Sequence, residues 1–182
     1  MPVPAERWPP VYDAEGLIAE IRRLSERGEL AEQFYEWRRD RAVTPVEDTC
    51  QGDIVHLPSD VPLIDENGEA HAVEHPGSMW LVTGNSCDFV RTLDEAKWTQ
   101  IVPIIGLGPA SSLTRNEQAA LRKYSQTRRF YVPPWSDSVV TESHIADLLR
   151  PVAVDKRAFA AGHARVDARL SRPAWVLLNA CL

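Results

Sequence analysis

Two periods of hydrophobic and polar positions run along the chain. Leu17, Ile18, Ile21 and Leu24 recur at the spacing of one helical face, and Asp13 stands where an N-cap belongs. This pattern predicts a helix over about 14–27. Gly28 interrupts it, and Leu30, Phe34 and Trp37 resume at four and three, predicting a second helix over about 29–40. The polar face carries Glu20, Arg22, Arg23, Glu26, Arg27, Glu36, Arg38 and Arg39, so these helices either pack on a body or mediate association.

After Thr44-Pro45 the period shortens to that of strands. Gly52-Asp53-Ile54-Val55-His56-Leu57 reads as a turn and a strand. Val61 to Ile64 and Ala70 to Val73 read as a hairpin, whose Asn67-Gly68 pair suits the positive φ of a tight turn. Met79 to Val82 is a buried-type strand closed by Thr83-Gly84-Asn85-Ser86, and Thr99 to Ile105 is another. Pro103 inside the latter points to an edge or a bulge, because proline cannot donate to the ladder. Thr114-Arg115-Asn116-Glu117 has the form of a capping box opening a helix over about 114–125. Phe130-Tyr131-Val132 and the stretch from His144 to Val154 read as strands, and 156–170 as a helix despite Gly162. Strands in the middle with helices at both ends make an α+β protein: a helical segment at 1–44, a small antiparallel barrel at 45–155, and a C-terminal helix and tail at 156–182.

Composition narrows the class. The 182 residues are 44% hydrophobic and 25% charged, enough apolar surface for one folded domain. No apolar run reaches the ~18–20 residues of a membrane span, and the start lacks the basic-then-apolar order of a secretory signal. Cys50, Cys87 and Cys181 are odd in number and far apart, which reads as reduced thiols in a cytoplasm rather than disulfides or zinc ligands. The net charge of -6 hides a division. Residues 1–100 hold 9 Lys and Arg against 20 Asp and Glu, a net of -11, and residues 101–182 hold 11 against 6, a net of +5. The basic half is either an interaction surface or the complement of the acidic half.

The positive excess is concentrated in Arg115, Arg122, Lys123, Arg128 and Arg129, with Tyr124, Phe130 and Tyr131 among them. Cations interleaved with aromatics suit RNA or another single-stranded nucleic acid, the charges following phosphates and a ring such as Tyr131 stacking on bases. The same pattern also describes a solvated helix face with Leu121 and Tyr124 turned inward, or a surface that meets the acidic N-terminal half. Arg165, Arg169 and Arg172 would share one face of the expected C-terminal helix, and either extend the patch or pair with the acidic half. Cys87 beside Asp88 is a nucleophile only where a base or positive field lowers its pKa, with His75 or Arg91 the candidates; otherwise it is a small packed thiol. Glu142-Ser143-His144 is not a triad, since neighbours on a strand point to opposite faces. No phosphate loop, dinucleotide fingerprint or metalloprotease motif occurs, and no cofactor or metal is expected.

Gly52-Asp53-Ile54-Val55, the stretch from His75-Pro76 to Leu81-Val82, and Ile101-Val102-Pro103-Ile104 together resemble the PemK/MazF-like group of toxin-type, SH3-like barrels. The resemblance covers about a third of the chain, residues 51–107. It implies an SH3-like barrel and a cytoplasmic bacterial protein of a toxin–antitoxin or phage-defence system. Such a protein engages RNA, has an antitoxin or defence partner, and can form a homodimer. Family ribonucleases place an Arg before the proline and a hydroxyl residue after the third strand; here His75 and Ile105-Gly106-Leu107 stand in those places. As a metal-independent endoribonuclease the chain would use His75 as acid–base, with Cys87, Asp88 and Arg91 nearby and Arg128 and Arg129 on phosphate. The alternative is a non-catalytic protein–protein interaction module or accessory subunit on the same barrel.

Overall fold

In a computed structural model, the described residues are 13–27, 29–38, 49–57, 62–64, 70–72, 79–108, 113–124, 128–135, 142–159 and 164–182. The fold is α+β, with an antiparallel sheet curled into a half-barrel. Its strands are β1 (Tyr35–Arg38), β2 (Asp53–His56), β3 (Pro62–Ile64), β4 (Ala70–Ala72), β5 (Met79–Val82), β6 (Trp98–Gly106), β7 (Arg129–Val132), β8 (His144–Asp147), β9 (Val152–Asp155) and β10 (Arg165–Leu170). Seven of them run β1-β10-β2-β5-β6-β8-β7, and β9, β3 and β4 branch from the same edge of β6 that holds β8. The helices are α1 (Ala14–Glu26), α2 (Leu30–Phe34), α3 (Ser86–Val90), α4 (Arg115–Arg122) and α5 (Arg172–Cys181).

The sheet is covered on both faces, which is why its central strands are apolar at successive positions rather than at alternate ones. Ile54, Leu81, Val102, Ile104, Ala168 and Leu170 face a core shared with α1, α2, α4 and α5. Val55, Trp80, Val82, Ile101 and Val154 face the other way, onto Phe89 of α3 and Phe159 of the 3-10 turn Lys156–Phe159. On β10, Val166 pairs with Val55 and Ala168 with Ile54, so Asp167 is an extra residue. That bulge lets residues of the same parity serve opposite faces.

The expected helix over 14–27 is α1: Asp13 accepts the Gly16 N–H at 2.8 Å, and Leu17, Ile21 and Leu24 are buried. The second expected helix is corrected. Only α2 is helical, and Tyr35 turns extended (φ -118, ψ 133) to begin β1, which pairs with β10. Spacing over so short a stretch does not separate helix from strand, and Tyr35 and Trp37 are strand-favouring residues captured by an edge more than 130 residues away in sequence. The helix expected over 156–170 is likewise corrected. It contains the 3-10 turn and then β10, so Arg165 and Arg169 lie on a strand. Their four-residue spacing, which mimics a helical face, instead spans the bulge and serves two aspartates. The C-terminal helix is α5, opened by Ser171-Arg172-Pro173.

Pro103 is not on an edge strand, since β6 is paired along both sides. Thr83 N–H donates to Gln100 O and Leu107 N–H to Ser143 O, so even positions of β6 turn their amides to β5 and odd ones to β8 and β9. β8 leaves β6 at Ile104 and β9 joins at Ile101, with 148–151 looping out between them. The missing donor of Pro103 falls on that gap. The pairing of β3 with β4 is the expected hairpin, whose Asn67-Gly68 turn lies outside the described residues, as does His75-Pro76. Among the described residues, no helix is long and apolar enough to cross a membrane.

Candidate functional site

Two places carry the residues singled out by sequence. The first is the turn after β5. Gly84 packs its backbone directly beneath Thr99 Oγ1, where a Cβ would also stand 2.8 Å from the Gln100 amide. The chain then enters α3, where Asn85 Oδ1 accepts the Cys87 N–H at 3.0 Å and Ser86 Oγ accepts the Gln51 N–H at 2.9 Å. Phe89 meets Phe159 edge-on at 5.3 Å. The buried Lys156 ammonium donates to Asp88 O at 2.6 Å and Arg91 O at 2.8 Å, closing the last turn with a cation where the helix dipole favours one.

Cys87 is exposed, and its thiol makes no hydrogen bond to another described residue. Asp88 pairs with Arg91 across 3.3 Å at the surface, an ion pair of small energetic weight. Asp88, Cys87 and Arg91 are thus neighbours through one turn of helix. Among the described residues, none supplies a base bonded to this thiol. His75 lies outside the described residues.

Lys156 stands apart from the charge runs that mark candidate residues in the sequence, yet it holds this turn. Lys156→Met is expected to leave two carbonyls unpaired, at a cost of about 1–3 kcal/mol. Hydrogen exchange should then quicken across residues 86–91 more than across β6; uniform exchange in both segments would show that Lys156 does not hold the turn.

The second place is the basic stretch. Thr114 Oγ1 accepts the Glu117 N–H at 3.3 Å, and Glu117 Oε2 accepts the Thr114 N–H at 2.7 Å, so α4 starts on the expected capping box. The Thr114 hydroxyl, donating to Glu117 Oε2 at 2.7 Å, and the Thr114 N–H hold the Glu117 carboxyl below its ordinary value. Leu121 is buried, and Tyr124 closes the helix in the left-handed region (φ 49), donating its hydroxyl to Tyr131 O at 2.8 Å. With these inside, Arg115, Arg122 and Lys123 are exposed, and Arg115 and Arg122 lie seven residues, about two turns, apart on one face. Arg22 of α1 joins them by donating its Nε–H to Lys123 O at 2.9 Å. Arg128 is exposed, and Arg129 is half-buried opposite Asp147.

Tyr131 is only 6% exposed, and its hydroxyl shares a hydrogen with Ser143 Oγ at 2.8 Å. Phe130 and Tyr124 are also buried, 5.6 Å apart in one ring cluster with Phe34. The interleaved rings are core, so Tyr131 offers no face to a ligand. Ser143 and His144 do not converge either. His144 Nδ1–H donates to Glu142 O at 2.9 Å, its ring lies 4.8 Å from Trp135, and burial lowers its pKa.

The basic half is sorted by these contacts. Arg150, Arg157, Arg165 and Arg169 each hold an aspartate, respectively Asp147, Asp155, Asp167 and Asp53. Arg115, Arg122, Lys123, Arg128 and Arg22 have no carboxylate within 4.0 Å among the described residues. The run from 115 to 129 is visible in the sequence; Arg22 is not, because its place beside Lys123 is a tertiary contact between residues 101 apart. No His, Cys, Asp and Glu group suited to a metal ion occurs among the described residues. No family model matches the chain, and no curated protein matches it.

Proposed function

We propose that this chain is a nucleic-acid-engaging protein of a bacterial toxin–antitoxin or phage-defence system, built on a PemK/MazF-like, SH3-like sheet. The observation that carries the reading is that Arg22, Arg115, Arg122, Lys123 and Arg128 have no carboxylate partner among the described residues, while Arg150, Arg157, Arg165 and Arg169 each hold an aspartate. Unpaired surface cations on a chain of net charge -6 form a local polyanion site. The family part of the proposal rests on the sequence resemblance at Gly52-Asp53-Ile54-Val55, His75-Pro76 to Leu81-Val82 and Ile101 to Ile104; of these, Asp53 to Val55, Met79 to Val82 and Ile101 to Ile104 lie in β2, β5 and β6, which pair side by side. An antitoxin or defence-system protein is the proposed partner, and a homodimer the proposed assembly.

The second reading, a non-catalytic interaction module or accessory subunit, is favoured by the α3 turn. There Asp88 and Arg91 neutralise each other, and Cys87 has no bonded base among the described residues. One sample separates the readings. Fluorescence anisotropy of a labelled RNA should show binding that the triple variant Arg122→Glu, Lys123→Glu, Arg128→Glu weakens at least ~10-fold, since each lost phosphate contact removes part of the counterion-release term. Unchanged affinity in that variant overturns the nucleic-acid proposal. RNA cut in the presence of EDTA by the wild type and not by His75→Ala identifies the metal-independent endoribonuclease; RNA that is neither bound nor cut identifies the module.

A further inference from the structure

We infer that the basic surface grips the sugar–phosphate backbone without stacking on bases, so that it takes double-stranded nucleic acid at least as well as single-stranded. The inference rests on the nucleic-acid reading above and changes the class of ligand within it.

Proteins that hold single strands add aromatic platforms to their cations, each stacked base contributing about 1–3 kcal/mol. Among the described residues, the rings interleaved with these cations in the sequence are withdrawn. Tyr124, Phe130 and Tyr131 are buried in the cluster with Phe34, and the Tyr124 and Tyr131 hydroxyls are engaged inside the protein. The segments that flank α4 in sequence, 109–112 and 125–127, are Pro-Ala-Ser-Ser and Ser-Gln-Thr, with no aromatic residue. The exposed Trp98 begins β6 opposite Asp155 and is covered by the Lys97 ammonium 4.8 Å from its ring centre, so it belongs to the β9 side of the sheet.

What remains at the surface is charge on rigid supports. Arg115 and Arg122 stand about 10 Å apart along α4 by helical rise, a helix capped at its start and pinned at its end by Leu121 and Tyr124. Arg22 and Lys123 meet at its C-terminal end. A surface that reads phosphate alone gains most from the ligand with the densest charge. Counterion release per contact is larger for duplex than for a single strand, about 0.9 against 0.7. A stiff row of cations also matches a stiff duplex without ordering a flexible chain.

The test uses the full-length protein with a 16-base-pair duplex, each of its strands, and oligo-dA and oligo-dT of equal length, at one salt concentration. The duplex should bind as tightly as either strand or more so, oligo-dA and oligo-dT should agree within about 3-fold, and Arg22→Ala and Lys123→Ala should each weaken duplex and strand alike. A single strand bound ~10-fold tighter than the duplex, with dT and dA differing by as much, overturns the inference and leaves the nucleic-acid reading standing. Poly-glutamate competing as well as duplex assigns the surface to an acidic protein and overturns the inference. Failure of every oligonucleotide to bind at low salt, with the circular dichroism of a folded protein, overturns both.

Discussion

Arg169→Met is expected to destabilise the protein by about 3–5 kcal/mol at neutral pH, the cost of leaving a buried charge without its partner. Asp53 is fully buried where β2 begins and receives three N–H groups: Arg169 Nε at 2.6 Å, Arg169 Nη2 at 2.9 Å and the Cys50 amide at 2.8 Å. Burial pushes the Asp53 carboxyl above its ordinary value, against the pull of the guanidinium and the amide. With Arg169 gone, only the amide opposes burial, and the folded-state pKa rises further. A raised carboxyl pKa favours the fold below the unfolded value and disfavours it as pH climbs through the folded value. Urea unfolding should therefore show the gap between wild type and Arg169→Met narrowing as pH falls from about 7 toward about 5. A gap that stays constant or widens on acidification would mean that the buried carboxylate is not what the variant exposes. The reverse change, Asp53→Asn, should cost less, because Arg169 keeps 21% of its side-chain surface in solvent and can hydrate.

Phe130→Ala is the second large effect, about 3–5 kcal/mol for an aromatic side chain deleted from a packed core. Phe130 is fully buried on β7, with ring centroids 5.8 Å from Phe34 and 5.6 Å from Tyr124. It therefore joins α2, the end of α4 and the sheet. A cavity there releases the end of α4 that carries Arg122 and Lys123, so nucleic-acid affinity should fall together with the unfolding midpoint, although no cation has been changed. Phe130→Leu, which keeps most of the volume, should recover most of both. Full affinity in Phe130→Ala would show that the basic surface does not depend on this packing.

Several strands are readable in the sequence because each is short, apolar and bounded by turn residues, as with Asp53–His56, Met79–Val82 and Arg129–Val132. Capping makes α1 and α4 readable through Asp13 and the Thr114–Glu117 pair. The two strands whose spacing imitates a helix, β1 and β10, are partners of each other, Tyr35 facing Leu170. Each is defined by an edge that the other supplies, and no local spacing encodes that. The bulge at Asp167 also disguises the two-residue period of β10. Ser171-Arg172-Pro173 does mark the start of α5, but the helix-like spacing over 156–170 obscures it. At the basic surface the cations are legible as a run. The inward turn of Tyr131 is not, since a ring among arginines looks the same in sequence whether it stacks on a base or shares a hydrogen with Ser143. Lys156 and Arg22 act through carbonyls of distant residues, Asp88, Arg91 and Lys123, which leave no mark in composition or spacing.

The decisive measurement for the basic surface is the affinity for a duplex as a function of salt. If Arg22, Arg115, Arg122, Lys123 and Arg128 neutralise four to five phosphates, log K should fall against log salt with a slope of about -4. The variant Arg122→Glu, Lys123→Glu should flatten that slope by about 2. A slope near zero, or one that this variant leaves unchanged, would contradict a phosphate-binding role for α4 and its neighbouring cations.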